Sequence, residues 1–390
     1  IIKNTSCFIN LNFTFMKTTQ LLVATIILCL FSFISKAQIS GPQTIPGSYP
    51  SIEAAVNALN LQGVGNGGAT FNVAAGYTET PTAPIILTLG VVNGSSAANP
   101  LVFQKSGVGA NPLVTASTAG SSITVDGIFI LNGTDYVTIN GIDLQENVLN
   151  TTPTAQMEWG YALVKSPLGG GASYNTIKNC VVTLNKANVA SVGIYLGNHS
   201  TVNTTTIIVT SANGTSSYNK FYNNTTQNTY SGIYLKGYAA TYPYDFYDQG
   251  NEIGRDGIST NRNQILNFGG LANTSYGVYG IYQNGLKVFS TYVNNSGGAP
   301  AIATLYGIFT SIGNNANVDI YGDTLIMSSS ATASSSLYAI QNSMGSTGAG
   351  NTVNIYNNVV DGCSYPTNLG GGFLWRFVNS KRHLHQYVQQ

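Results

Sequence analysis

The feature that most constrains this chain is repetition of units too small to fold alone. From residue 81 onward, apolar runs of four to six residues alternate with Gly, Asn or Asp turns. One theme sets aromatic or apolar residues around Gly-Ile: Gly193-Ile194-Tyr195-Leu196, Gly232-Ile233-Tyr234-Leu235, Gly280-Ile281-Tyr282 and Tyr306-Gly307-Ile308-Phe309. Tyr338-Ala339-Ile340 is a degenerate copy, and the isoleucines of the series are 39, 48, 27 and 32 residues apart. Another theme, Val318-Asp319-Ile320-Tyr321-Gly322-Asp323, returns 35 residues later as Val353-Asn354-Ile355-Tyr356-Asn357-Asn358. Units that cannot enclose a core of their own must bury their apolar faces by stacking on one another.

In Tyr136-Val137-Thr138-Ile139-Asn140-Gly141-Ile142-Asp143-Leu144, Val137, Ile139, Ile142 and Leu144 alternate as inward residues. Asn140-Gly141 then reads as a corner between successive sheets. Asparagine recurs at such corners, as in Asn175/Asn179, Asn219/Asn223 and Asn354/Asn357. This residue tolerates left-handed backbone and can pair with its copies in neighbouring coils. No blade-length signature repeats at constant spacing, which disfavours a propeller. The expected fold is all-β: a right-handed parallel β-helix solenoid over 81–372. Coils of about 20–30 residues would give on the order of ten to fourteen turns.

The ends differ from the body. Met16, Lys17, an apolar stretch over 21–34 and Ser35-Lys36-Ala37 form an export signal cleaved after Ala37. The apolar stretch is short for a membrane span, so no transmembrane segment is expected after cleavage and the protein is expected to be secreted. Residues 1–15 read as upstream read-through. Residues 38–80 form an N-terminal cap, in which Ser51 is an N-cap and Ile52, Ala55, Val56 and Leu59 share one helical face. Residues 373–390 form an atypical basic tail, expected to add nothing to the core. Cys180 and Cys363 lie too far apart along a solenoid for a disulfide.

Tyr49-Pro50-Ser51-Ile52, Phe71-Asn72-Val73 and Gly76-Tyr77-Thr78-Glu79 resemble the opening of pectin-lyase-like β-helix proteins. Asp135-Tyr136-Val137-Thr138-Ile139-Asn140-Gly141-Ile142 and Asn175-Thr176-Ile177-Lys178-Asn179-Cys180 resemble their coil repeats. Over about 45 to 365 the chain is most similar to uncharacterised surface proteins of gliding-type Gram-negative bacteria. That resemblance implies type IX export and a place in the extracellular space or on the outer surface. Enzymes of the superfamily use calcium-binding Asp clusters with an Arg or Lys base, close Asp pairs, or two Asp with an Arg. None of these patterns is matched residue by residue here.

Between 38 and 374, 9 Lys and Arg face 14 Asp and Glu, an acidic balance that argues against nucleic acid as a partner. His199 is the one histidine of that body, and Asn198-His199-Ser200 reads as an exposed turn. No metal site is expected from it. The densest chemical patch lies at 238–256. There Tyr242, Tyr244, Tyr247 and Arg255 are candidate saccharide-binding residues, and Asp245 and Asp248 are candidate catalytic carboxylates. The same carboxylates could hold calcium weakly. Alternatively, the patch is a loop whose aromatics pack back on the solenoid. Two functions follow: a surface protein that binds glycans, mediates adhesion or acts as a spacer, or a polysaccharide-active lyase or glycoside hydrolase.

Overall fold

The structure, a computed structural model, describes residues 37–387 except 90–93, 119, 121, 123–124, 153, 258–259, 271–272, 298–302, 330–335, 346–350, 365–373 and 380–384. Almost all of the expected export signal, and everything before it, lies outside the described residues. Among the described residues no helix is long and apolar enough to cross a membrane.

The chain winds into the right-handed parallel β-helix that its repeats require. Its strands assemble into one eleven-stranded and two nine-stranded sheets. A typical coil supplies Val137–Asn140 to the first sheet, Asp143–Gln145 to the third and Trp159–Val164 to the second. The next coil lays Thr176–Lys178, Val181–Thr183 and Val192–Leu196 on these strands, parallel in each case. Asn140-Gly141 turns the corner between two sheets, and Val137, Ile139, Ile142 and Leu144 all point inward and are buried.

The coils are longer and fewer than the repeat pattern implied. Strand partners in adjacent coils of the body lie between 28 and 45 residues apart, which gives about nine turns. The extra residues sit in loops between sheets, where no apolar periodicity marks them. Register also corrects one repeat. Ile233 and Tyr234 stack on Val278 and Tyr279, so Gly277-Val278-Tyr279 is the structural copy and Gly280-Ile281-Tyr282 is not. The glycine explains the motif. A Cβ on Gly193 would come within 2.5 Å of Thr226, and one on Gly232 within 2.5 Å of Ile265, both in the third sheet. Gly277 meets Val293 in the same way.

The helix α1 (Ile52–Gln62) covers the first coil with buried Ile52, Ala55, Val56 and Leu59. Its N-terminus is capped twice: Ser51 Oγ accepts from Ala54 N at 2.9 Å, and the Glu79 carboxylate accepts from Ile52 N and Glu53 N at 2.7 and 3.1 Å. At the other end the backbone ladder runs past residue 372. Leu374–Asn379 pairs with Leu337–Met344, and His385–Tyr387 with Val353–Tyr356. Cys180 and Cys363 are free thiols.

Of the asparagines expected at corners, Asn354 instead lies inside the strand Val353–Tyr356, and the others divide the work. Asn179, Asn223 and Asn357 take left-handed backbone. Asn175 and Asn219 instead form a buried ladder with Asn251, in which each side-chain oxygen accepts a backbone N–H of the preceding coil at 2.8–3.0 Å. A second buried ladder runs through Asn224, Asn263 and Thr291 to Asp323 and Asn358. Asn224, Asn263 and Asn358 complete it by donating their amides to Ile177 O, Phe221 O and Ile320 O. Asp323 has no such donor, and its Oδ2 has no partner among the described residues.

Burial pushes the Asp323 carboxyl well above its ordinary range. Folding therefore favours the protonated form. The stability it contributes is complete below the ordinary carboxyl pKa and is lost as pH rises. Asp323→Asn restores the amide donor without a charge. The variant should melt several degrees above the parent at pH 8, reflecting about 1–2 kcal/mol, with the gain shrinking towards pH 3.5. Gly232→Ala should lower stability by about 1–3 kcal/mol in the same melts, because its new methyl meets Ile265.

Candidate functional site

The outer face of the second sheet carries two columns of side chains set by the coil register. One runs Tyr195, Tyr234, Tyr279, Phe309. The other begins at Trp159, passes Val192 and Ser231, and resumes as Tyr276, Tyr306 and Tyr338. Away from the middle the rings stack closely. Trp159 lies 4.7 Å from Tyr195 at 4°, Tyr276 5.4 Å from Tyr306 at 17°, and Tyr306 4.7 Å from Tyr338 at 7°.

At Tyr234 the stack breaks. Its ring is tilted 38° to Tyr195 and stands at 81° to Tyr276 and 63° to Tyr279. The small residues Val192 and Ser231 leave the neighbouring column without rings at this level. A depression of about 270 Å³ opens there, lined by Trp159, Tyr195, Tyr234, Tyr276, His199 and Lys236 among others. Its size is near the lower end of ordinary small-molecule sites. No Asp or Glu lines it.

His199 is not the exposed turn residue that its neighbours implied, since it is only 3% exposed. Its Nδ1 lies 2.7 Å from Ser200 O, and its Nε2 lies 2.8 Å from Tyr195 Oη. A carbonyl only accepts, so Nδ1 carries the proton and Nε2 accepts from the tyrosine hydroxyl. Burial holds the imidazole below its ordinary pKa, and Lys236 and Lys165 add to that effect. Along the chain Tyr195 belongs to an apolar run and His199 to a polar turn, so no local pattern marks this pairing.

The patch at 238–256 comes apart. Tyr242, 83% exposed, meets Tyr244 edge-on, Tyr244 stacks on Tyr247 at 5.5 Å, and the buried Tyr247 leans on Tyr282. These rings pack back on the solenoid. Asp248 is 0% exposed: Ser216 N donates to Oδ1 at 2.8 Å, and Gln283 Nε2 to Oδ2 at 3.3 Å. Its electrostatic partner is the equally buried Lys165, whose Nζ donates to Gly214 O and, at 3.3 Å, to Ser216 Oγ. Arg255 is exposed and follows Glu252–Gly254, at the far end of that strand from the tyrosines. Among the described residues no group of three or more His, Cys, Asp or Glu converges as a metal site.

Asp245 shares a cleft with a different carboxylate from the one its sequence position implied. It lines a cleft of about 180 Å³ together with Asp135, Tyr174 and Tyr218. Tyr136, Tyr174 and Tyr218 occupy one left-handed corner in successive coils and stack at 4.7 and 5.0 Å. Asp135 accepts from Ser173 N at 2.6 Å, and burial raises its carboxyl to about 6. The one trace of this cleft in the sequence is a tyrosine just ahead of Val137, Asn175 and Asn219.

No family model matches the sequence, and no curated protein matches it. Among solved structures the chain is similar to an alginate lyase from a Paenibacillus species, at 12% identity over 88% of this chain and 99% of that one, with a TM-score of 0.44. It is also similar to a lacto-N-biosidase from Eubacterium ramulus, at 12% identity over 88% and 67% of the two chains, with a TM-score of 0.49. A pectin methylesterase from Aspergillus niger shares 12% identity over 91% and 92%, with a TM-score of 0.40. Similarity at this level says nothing about chemistry.

The Tyr195–His199 bond has a measurable consequence. Tyr195→Phe removes a donor that favours the neutral imidazole. NMR titration should then show His199 protonating at higher pH than in the parent.

Proposed function

We propose that the protein binds an extended polysaccharide across the outer face of its second sheet, with one sugar residue seated in the depression at Tyr234. The observation that carries this reading is the interruption of an otherwise regular aromatic ladder, just where Val192 and Ser231 replace rings. A closed stack hides ring faces. A broken one leaves apolar ring surface beside hydrogen-bonding groups such as the Tyr195 hydroxyl, which is the pairing a pyranose requires. In this reading the protein is exported by the signal at 16–37 and works outside the cell or at its surface, where binding serves adhesion. Affinity electrophoresis through a panel of polysaccharides tests it. Tyr234→Ala should weaken retention on the responsive polymer roughly tenfold. Unchanged retention would count against the groove.

A second reading is favoured by the cleft that brings Asp135 and Asp245 together. A half-buried carboxyl raised to about 6 suits a general acid, and the exposed Asp245 suits its partner carboxylate in glycoside hydrolysis. The acid must be protonated, so hydrolysis by this pair should fall roughly tenfold per pH unit above about 6. Release of reducing ends that disappears in both Asp135→Asn and Asp245→Asn would establish the pair. Hydrolysis surviving both substitutions would exclude it.

A further inference from the structure

We infer that the sugar residue held in the groove carries a negatively charged substituent, a carboxylate or a sulfate ester, which meets the ammonium of Lys236. This rests on the groove reading above and adds the chemical class of the ligand. Cations are scarce in the chain body, with 9 Lys and Arg from 38 to 374, and most of its lysines are committed elsewhere. Lys178 pairs with Asp256 and Lys287 with Glu252, while Lys105 and Lys165 donate to Gly109 O and Gly214 O. Lys186 bonds Asn267.

Lys236 differs. It is half-buried on the groove wall, and its ammonium has no hydrogen bond or ion pair among the described residues. No carboxylate lines the groove to neutralise it. Lys165 donates its backbone N–H to His199 O at 2.9 Å, but its ammonium is buried beside Asp248, which leaves Lys236 as the cation at the groove. Burial holds the His199 imidazole below its ordinary pKa, so the groove's positive charge rests on Lys236. An unpaired cation held part-way out of water is stabilised most by an anion delivered with the ligand. Lys236 lines the groove together with Tyr195, Tyr234 and Tyr276, so a sugar seated on those rings lies within its reach.

Matched polymers test this: dextran sulfate against dextran, and polygalacturonate against its methyl ester, each titrated at low and at high salt. At least one anionic member should bind more tightly than its neutral partner, with affinity falling as salt rises. Which pair responds distinguishes sulfate from carboxylate. Lys236→Met should lower that affinity roughly tenfold, towards the neutral level, and Lys236→Arg should largely restore it. Thermal melts confirm that each variant is folded. If neutral and charged members bind alike and Tyr234→Ala abolishes both, the charged ligand is ruled out while the groove stands. Anionic binding unaffected by either substitution, or no binding by any member, would overturn both.

Discussion

Parallel backbone ladders join each coil to the next, with neighbouring strands about 4.8 Å apart, and this spacing places every side chain on its counterpart in the adjoining coil. Everything else in the molecule answers to that. Inside, Phe71 stacks on Phe103 at 4.7 Å in the first sheet and Phe129 lies on Tyr161 in the second, with Phe103 meeting Phe129 edge-on between them. At the corners, amides lie on amides and satisfy one another's backbone groups. On the outer face of the first sheet, Lys220, Glu252, Lys287 and Asp319 follow in register, so charges alternate instead of repelling. Farther along that face, Phe289, Tyr321 and Tyr356 stack at 5.2 and 5.0 Å.

Like-on-like stacking is stabilising, but it covers the groups it stacks. Each well-placed aromatic pair contributes about 0.5–1.5 kcal/mol beyond burial, and in doing so withdraws ring faces from solvent. A binding surface on such a rod must therefore be sought where a column fails. The second sheet has such a failure at Tyr234, next to small side chains and an unpaired lysine. The patch richest in aromatics and acids does the opposite. Its Tyr244 and Tyr247 complete a stack, and its Asp248 completes a buried network with Ser216, Gln283 and Lys165.

Asp323 shows the constraint from the other side. The ladder is best satisfied by a group that both accepts from one coil and donates to another, as Asn224, Asn263 and Asn358 do. A carboxylate can only accept, and the proton it takes up on burial is the ladder's adjustment to an ill-fitting residue. The fold tolerates such a mismatch because the strands flanking Asp323 are paired on both sides and hold the register.

The sequence by itself determined the solenoid, the capping helix with Ile52, Ala55, Val56 and Leu59 inward, and the corner role of Asn179 and Asn223. These depend on local periodicity and on backbone preferences of single residues, which are written in linear order. Coil length, the true third copy of the Gly-Ile-Tyr theme, and the neighbours of each charged group were decided only in three dimensions. Loop residues carry no periodic mark, so the register linking Tyr234 to Tyr279 is invisible along the chain. For the same reason Asp245 appeared to belong with Asp248, three residues away, whereas the winding buries one and leaves the other lining a cleft with Asp135. Proximity across coils depends on how many residues each loop consumes, and only the packed solenoid records that number.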